Sequence, residues 1–139
     1  MSALRRSFVS SLVLLALCIV ALPAQEASEV KHTEDSIETV KENLANGKAL
    51  LVDVREPDEW MAGHLKLARS IPLSRLKMLA PGAELDELVK GKILYVHCRS
   101  GRRCLTATPY LKSLGFDVRP LPQGFDALVE AGLEPAEIR

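Results

Sequence analysis

The sequence has no excess charge of either sign: 18 Lys and Arg balance 18 Asp and Glu, for a formal net charge of zero. A neutral chain offers no field to gather nucleic acid or to hold an anionic membrane surface, so neither is expected as a partner. Aromatics make up only 4% of residues, so the core must come from Leu, Val, Ile and Ala. Cysteine is scarce too, with Cys18, Cys98 and Cys104 alone. That is too few for a disulfide-stapled scaffold, which needs a denser framework. There is no internal repeat and no low-complexity tract. With 139 residues the chain has the length of one domain.

Long apolar runs are also missing, except at the N-terminus. Arg5 and Arg6 form a basic start, Ser10 to Leu22 is almost wholly apolar, and Pro23-Ala24 supplies a small residue for cleavage. The pattern reads as an export signal over residues 1–24. It is short for a membrane span, which needs about 20 apolar residues. An uncleaved anchor is the competing reading. Leu17 is too bulky before Cys18 for a lipoprotein site, and Arg5-Arg6-Ser7-Phe8-Val9 only weakly resembles a twin-arginine motif. The expectation is an exported protein, periplasmic or secreted, with no stable span once mature. Residues 25–33 then read as a flexible tether and 34–139 as the functional domain. Cleavage would remove Cys18 and leave Cys98 and Cys104.

Strand-like and helix-like segments alternate along the rest, which implies an α/β sheet with crossover connections. Val30-Lys31-His32 could form a short first strand. Asp35-Ser36-Ile37-Glu38 has the look of a capping box, followed by Ile37, Val40 and Leu44 at helical spacing. Ala49 to Val54 and Ile93 to His97 are apolar runs suited to strands buried on both faces. Pro57 to Ala62 opens with Pro and reads as a helix. Leu67 to Ile71 suits a short strand, Leu73 to Leu79 a helix, and Leu85 to Val89 another helical piece. Cys104 to Leu114 forms a helix closed by Gly115. Phe116 to Leu121 is a last strand near an edge because of Pro120, and Phe125 to Ala131 is a closing helix.

Chemistry concentrates in His97-Cys98-Arg99-Ser100-Gly101-Arg102-Arg103-Cys104, between a buried strand and a helix start. Ligands bind at such junctions in open α/β sheets. Loop N–H groups and a helix N-terminus favour negative charge, and flanking arginines lower a thiol pKa further. Cys98 is therefore the candidate nucleophile. Arg99, Ser100, Gly101, Arg102 and Arg103 are the candidate substrate-binding residues. No cofactor and no metal is needed, and the His and Cys residues lack zinc-ligand spacing. His97 should face away from Cys98, because adjacent strand residues point to opposite faces. Asp53 and Arg55 are read as an ion pair closing the sheet's end, His64 as bonded to backbone in a turn, and Trp60 as core.

This segment resembles the active-site loop of the rhodanese family, Cys-x-x-Gly-x-Arg and then a small polar residue; Cys98, Gly101 and Arg103 fit it. Leu51-Val52-Asp53-Val54-Arg55-Glu56, Glu59-Trp60 and Gly63-His64-Leu65 resemble the family's upstream block, with Ile71-Pro72-Leu73 after it. Leu121-Pro122-Gln123-Gly124-Phe125 loosely matches a later glycine-aromatic block. The likeness runs from about Glu34 to Glu134 and is greatest to small exported single-domain members acting on thiosulfate.

The resemblance implies a five-stranded parallel sheet with helices on both faces. It implies a sulfurtransferase that moves sulfane sulfur from thiosulfate, or a related small anionic donor, through a Cys98 persulfide. Cyanide or a thiol is the acceptor. Four residues separate Cys98 from Arg103, a cradle for one sulfur atom, whereas related phosphatases of the fold use five. A carrier domain binding sulfide or a partner protein is the first alternative. A thiol–disulfide enzyme using Cys98 and Cys104 is another, and a phosphatase or arsenate reductase is disfavoured by the loop count. Cys104 stands where the family has Ser or Thr, a natural helix N-cap. It is therefore a candidate redox partner for Cys98.

Overall fold

The computed structural model describes residues 28–138. The export segment, residues 1–24, lies outside them. Among the described residues no helix is long and apolar enough to cross a membrane.

The chain runs α1 (Ile37–Ala45), β1 (Ala49–Asp53), α2 (Pro57–Ala62), β2 (Ala68–Ser70), α3 (Leu73–Lys77), β3 (Ile93–His97), α4 (Arg102–Ser113), β4 (Asp117–Pro120), α5 (Phe125–Glu130). All pairings are parallel, in the order β2-β1-β3-β4. Among the described residues the sheet thus has four strands, which corrects the expectation of five. The missing strand is Val30-Lys31-His32. The residue after that segment, Thr33, donates its N–H to Pro120 O at the end of β4 at 2.8 Å. One bond does not build a ladder.

Alternation along the strands divides the core in two. Val52, Val54, Leu94 and Val96 pack on one face with Leu73 and Leu76 of α3 and Cys104, Ala107 and Leu111 of α4. Leu51 and Tyr95 pack on the other with Val40 of α1 and Leu128 of α5. Period-two side chains in strands covered on both faces require this division.

Local signals account for most boundaries, and three expectations need correcting. At α1 the cap is Ser36, which accepts from Thr39 N–H at 3.2 Å; the third helical position is Thr39, so the reciprocal bond of a capping box is absent. The reciprocal box occurs instead at α2, between Glu56 and Glu59. Leu85 to Val89 forms turns rather than a helix. Pro81-Gly82 and Gly91 leave too short a span to overcome nucleation, and burial of Leu85 and Leu88 needs only a turn. Finally, α4 begins at Arg102 with Gly101 as N-cap at φ 82°, so Cys104 lies in the first turn and is not the cap.

The chain moves outward from β1 to β2 on one side, then resumes at β3 on the other. The strand order therefore switches direction between β1 and β3. Their C-terminal residues Asp53 and His97 are register partners. Crevices form at such switch points.

Candidate active site

The loop after β3 holds Cys98 at the switch point, fully buried. Its backbone is fixed from three directions. Phe125 N–H donates to Cys98 O at 3.0 Å. Gly124 lies so close that a Cβ there would sit 1.7 Å from Arg99 O. Gly101 takes the left-handed conformation, and a Cβ on it would meet Pro122 O at 2.9 Å. Both glycines are thus required, Gly124 for space and Gly101 for space and φ. His32 reaches the same loop, its Nε2 2.7 Å from Gly101 O. Asp35 anchors that approach, accepting from Tyr95 OH at 2.6 Å and pairing with Arg119 at 2.9 Å.

These restraints turn the Gly101 N–H onto Cys98 Sγ at 3.2 Å. A hydrogen bond from the Cys104 thiol, first, and then the N–H groups of Cys104, Ser100 and Gly101 pull the Cys98 thiol down to about 4; burial opposes them. Cys104 has one proton to give. Its shortest acceptor is Gly101 O at 2.9 Å, with Leu121 O at 3.4 Å. A charged Cys98 sulfur competes for that proton. The backbone donors stabilise the thiolate whichever acceptor takes it. Cys104 itself is pushed strongly upward, chiefly by its bond to Cys98 and then by burial.

The arginines divide sharply. Arg103 is held in a two-pronged pair with Glu59, at 2.5 and 2.7 Å, which ties α4 to α2. That pair holds the Glu59 carboxyl down at about 2. Arg99, Arg102 and Ser100 are exposed. Among the described residues Arg99 and Arg102 have no ion-pair partner. Arg99 edges a cleft of about 220 Å³ that also includes Arg55, Glu59, Gly63, Phe125 and Asp126. Cys98 itself has no exposed surface and does not line this cleft. Arg102 lines none of that cleft.

Asp53 and Arg55 form a buried pair at 2.8 Å, and Arg55 also donates to Gly63 O at 2.7 Å and lies 4.4 Å over the Phe125 ring. His97 sits on the Asp53 side, with Nε2 3.7 Å from its carboxylate, and burial lowers its pKa. It is thus a neutral core residue and no partner for the Cys98 sulfur. His64 bonds Trp60 O at 3.0 Å and stacks on its ring at 3.8 Å. His32, Glu59 and Gly124 were not read as site residues in the sequence. Glu59 carried a signal in the upstream block and Gly124 in the later glycine-aromatic block, whereas His32 carried none.

A family model, the rhodanese-like domain, matches residues 36–131. This chain belongs to the rhodanese-like domain family. The human single-domain sulfurtransferase has a similar structure, with 30% identity, a TM-score of 0.58, and coverage of 69% of this chain and 94% of that one. A rhodanese-related protein from Thermoplasma volcanium is similar at 25% identity and TM-score 0.58, covering 74% and 95%. Among curated proteins, the uncharacterized YqhL of Bacillus subtilis (strain 168) is 40% identical over 68 residues, 49% of this chain and 50% of its own length. The chain spans about half the length of the first curated relatives it matches. Within this rhodanese-like domain, the matched region ends short of His32, which nevertheless touches the loop.

Proposed function

We propose that this protein is a thiosulfate sulfurtransferase working through a persulfide on Cys98. The observation that carries the reading is the Gly101 N–H directed at Cys98 Sγ from 3.2 Å, at the strand–loop–helix junction. A thiolate held there has fixed donors ready for the negative charge that moves to the outer sulfur. In the first half-reaction the Cys98 thiolate attacks the sulfane sulfur of thiosulfate. The sulfur–sulfur bond of the donor breaks and sulfite leaves with the electron pair. In the second, cyanide or a thiolate attacks the outer sulfur and Cys98 is restored. Splitting one transfer into two is covalent catalysis. Arg99 attracts the anion at the cleft edge. Ser100 and Gly101 supply the N–H cradle. Arg103 keeps the loop in place through Glu59, a structural role more than a direct contact. Arg102 contributes positive potential at longer range.

Sulfite release on adding thiosulfate, followed by cyanide turnover, tests the reading. Wild type should free one sulfite per chain as Cys98 takes the sulfur, and then turn over cyanide. Cys98→Ser should do neither, and appreciable turnover by that variant would defeat the assignment. We also propose export, on the strength of Arg5, Arg6 and the apolar run to Leu22. Sequencing the N-terminus of protein recovered from the native host tests it.

A further inference from the structure

Sulfur transfer through Cys98 leaves a second buried thiol without a task. Cys104 is fully buried in the first turn of α4, and neither cysteine is in a disulfide. One residue stands between the two sulfurs: Gly101 donates its N–H to Cys98 Sγ at 3.2 Å, and its carbonyl accepts from Cys104 Sγ at 2.9 Å. The two thiols thus share Gly101, and Cys104 lowers the Cys98 pKa. A hydroxyl at this position could make the same donation. Only sulfur there could go on to bond covalently to Cys98.

The resting site assigns distinct states to the two thiols. Cys98 is the thiolate, and its charge keeps the proton on Cys104. Loading changes this. In a persulfide the charge moves out by one atom, and Cys98 Sγ becomes a neutral sulfur open to attack. Cys104 then lies beside an electrophile rather than an anion, and the charged outer sulfur can accept its proton.

We propose that Cys104 attacks Cys98 Sγ in the persulfide and expels the outer sulfur as hydrosulfide, so that the protein converts thiosulfate to sulfite and sulfide. The inference rests on the Cys98 persulfide reading above. The bond between Cys98 Sγ and the outer sulfur breaks, and a Cys98–Cys104 disulfide forms. The Cys104 proton leaves with the departing sulfur as HS⁻. The two thiols are oxidised together, and the sulfane sulfur receives both electrons. An external dithiol then reduces the disulfide and is itself oxidised to a disulfide. Attack on the inner sulfur is favoured because hydrosulfide is a weaker base than an alkyl thiolate and leaves more readily.

The experiment uses the full chain, reduced, freed of small thiols and given equimolar thiosulfate with no acceptor. Sulfide is trapped with a fluorogenic alkylating agent, and intact mass and a non-reducing peptide map are taken; the map also follows Cys18. Wild type should release hydrosulfide in step with the chain, show the Cys98–Cys104 peptide and keep no persulfide. Cys104→Ser and Cys104→Ala should retain the persulfide on Cys98 and release no sulfide. A stable wild-type persulfide without sulfide overturns the inference and leaves sulfur transfer standing. Equal sulfide release by wild type and both variants also overturns it. Absence of both persulfide and sulfide in wild type defeats both readings together. The wild-type peptide map decides the question even if both variants misfold.

Discussion

Replacing Gly124 by Ala should cripple the site while leaving the chain folded. Gly124 has φ −82°, which any residue adopts, so the backbone conformation raises no objection. Space does: the new Cβ would stand 1.7 Å from Arg99 O and 2.5 Å from Arg99 C, both backbone atoms of the loop after β3. Van der Waals contact requires the two segments to part by roughly 1.5 Å. Neither can rotate away as a side-chain tip would. Overpacking of this kind costs about 1–3 kcal/mol. Parting the segments also strains the Phe125 N–H to Cys98 O bond of 3.0 Å, worth about 1 kcal/mol. A loss of about 2–4 kcal/mol is expected, set against the 5–15 kcal/mol typical of a domain. The same displacement moves the donors away from Cys98 Sγ, and a misplacement near 1 Å can cost on the order of 100-fold in rate. Urea unfolding reports the first quantity, and the rate of persulfide formation reports the second. A Gly124→Ala protein within about 0.5 kcal/mol of wild type and equally fast would refute the packing argument.

Alkylation of Cys98 by iodoacetamide should be nearly independent of pH from neutrality down to about 5 and should fall through about 4, because only the thiolate reacts. Since that folded pKa is depressed, stability from this group is full above the ordinary thiol range near 9.0 and declines as pH falls toward 4, which urea titrations at several pH values check. Glu59→Gln should cost about 1–2 kcal/mol in urea unfolding and lower kcat, by releasing Arg103 from the bond between α4 and α2. Arg99→Ala should raise KM for thiosulfate several-fold with little change in kcat, as steady-state kinetics would report for lost ground-state binding. His32→Ala should raise the pH midpoint of Cys98 alkylation by loosening Gly101, and His32→Gln should restore part of the shift.

Much of this protein was legible in order along the chain. Apolar runs fixed β1 and β3, because strands buried on both faces leave no room for polar residues. Pro57 placed the start of α2, and Cys98, Gly101 and Arg103 marked the loop by type and spacing. Errors arose where local pattern had to compete with neighbours. Val30 to His32 has strand-like composition, yet only the next residue, Thr33, bonds to β4, and no ladder forms. Leu85 and Leu88 have helical spacing, yet a turn buries them as well. What no local pattern could supply is long-range placement. The pairs Arg103–Glu59 and Cys98–Phe125, and the 2.7 Å approach of His32 to Gly101, join residues 27 to 69 positions apart. Residue type and spacing marked the Cys98–Arg103 loop as the candidate site. Only parallel pairing of β1 with β3 set that loop against α2, α5 and the N-terminal segment, because side chains distant in sequence meet only where the sheet brings their elements together.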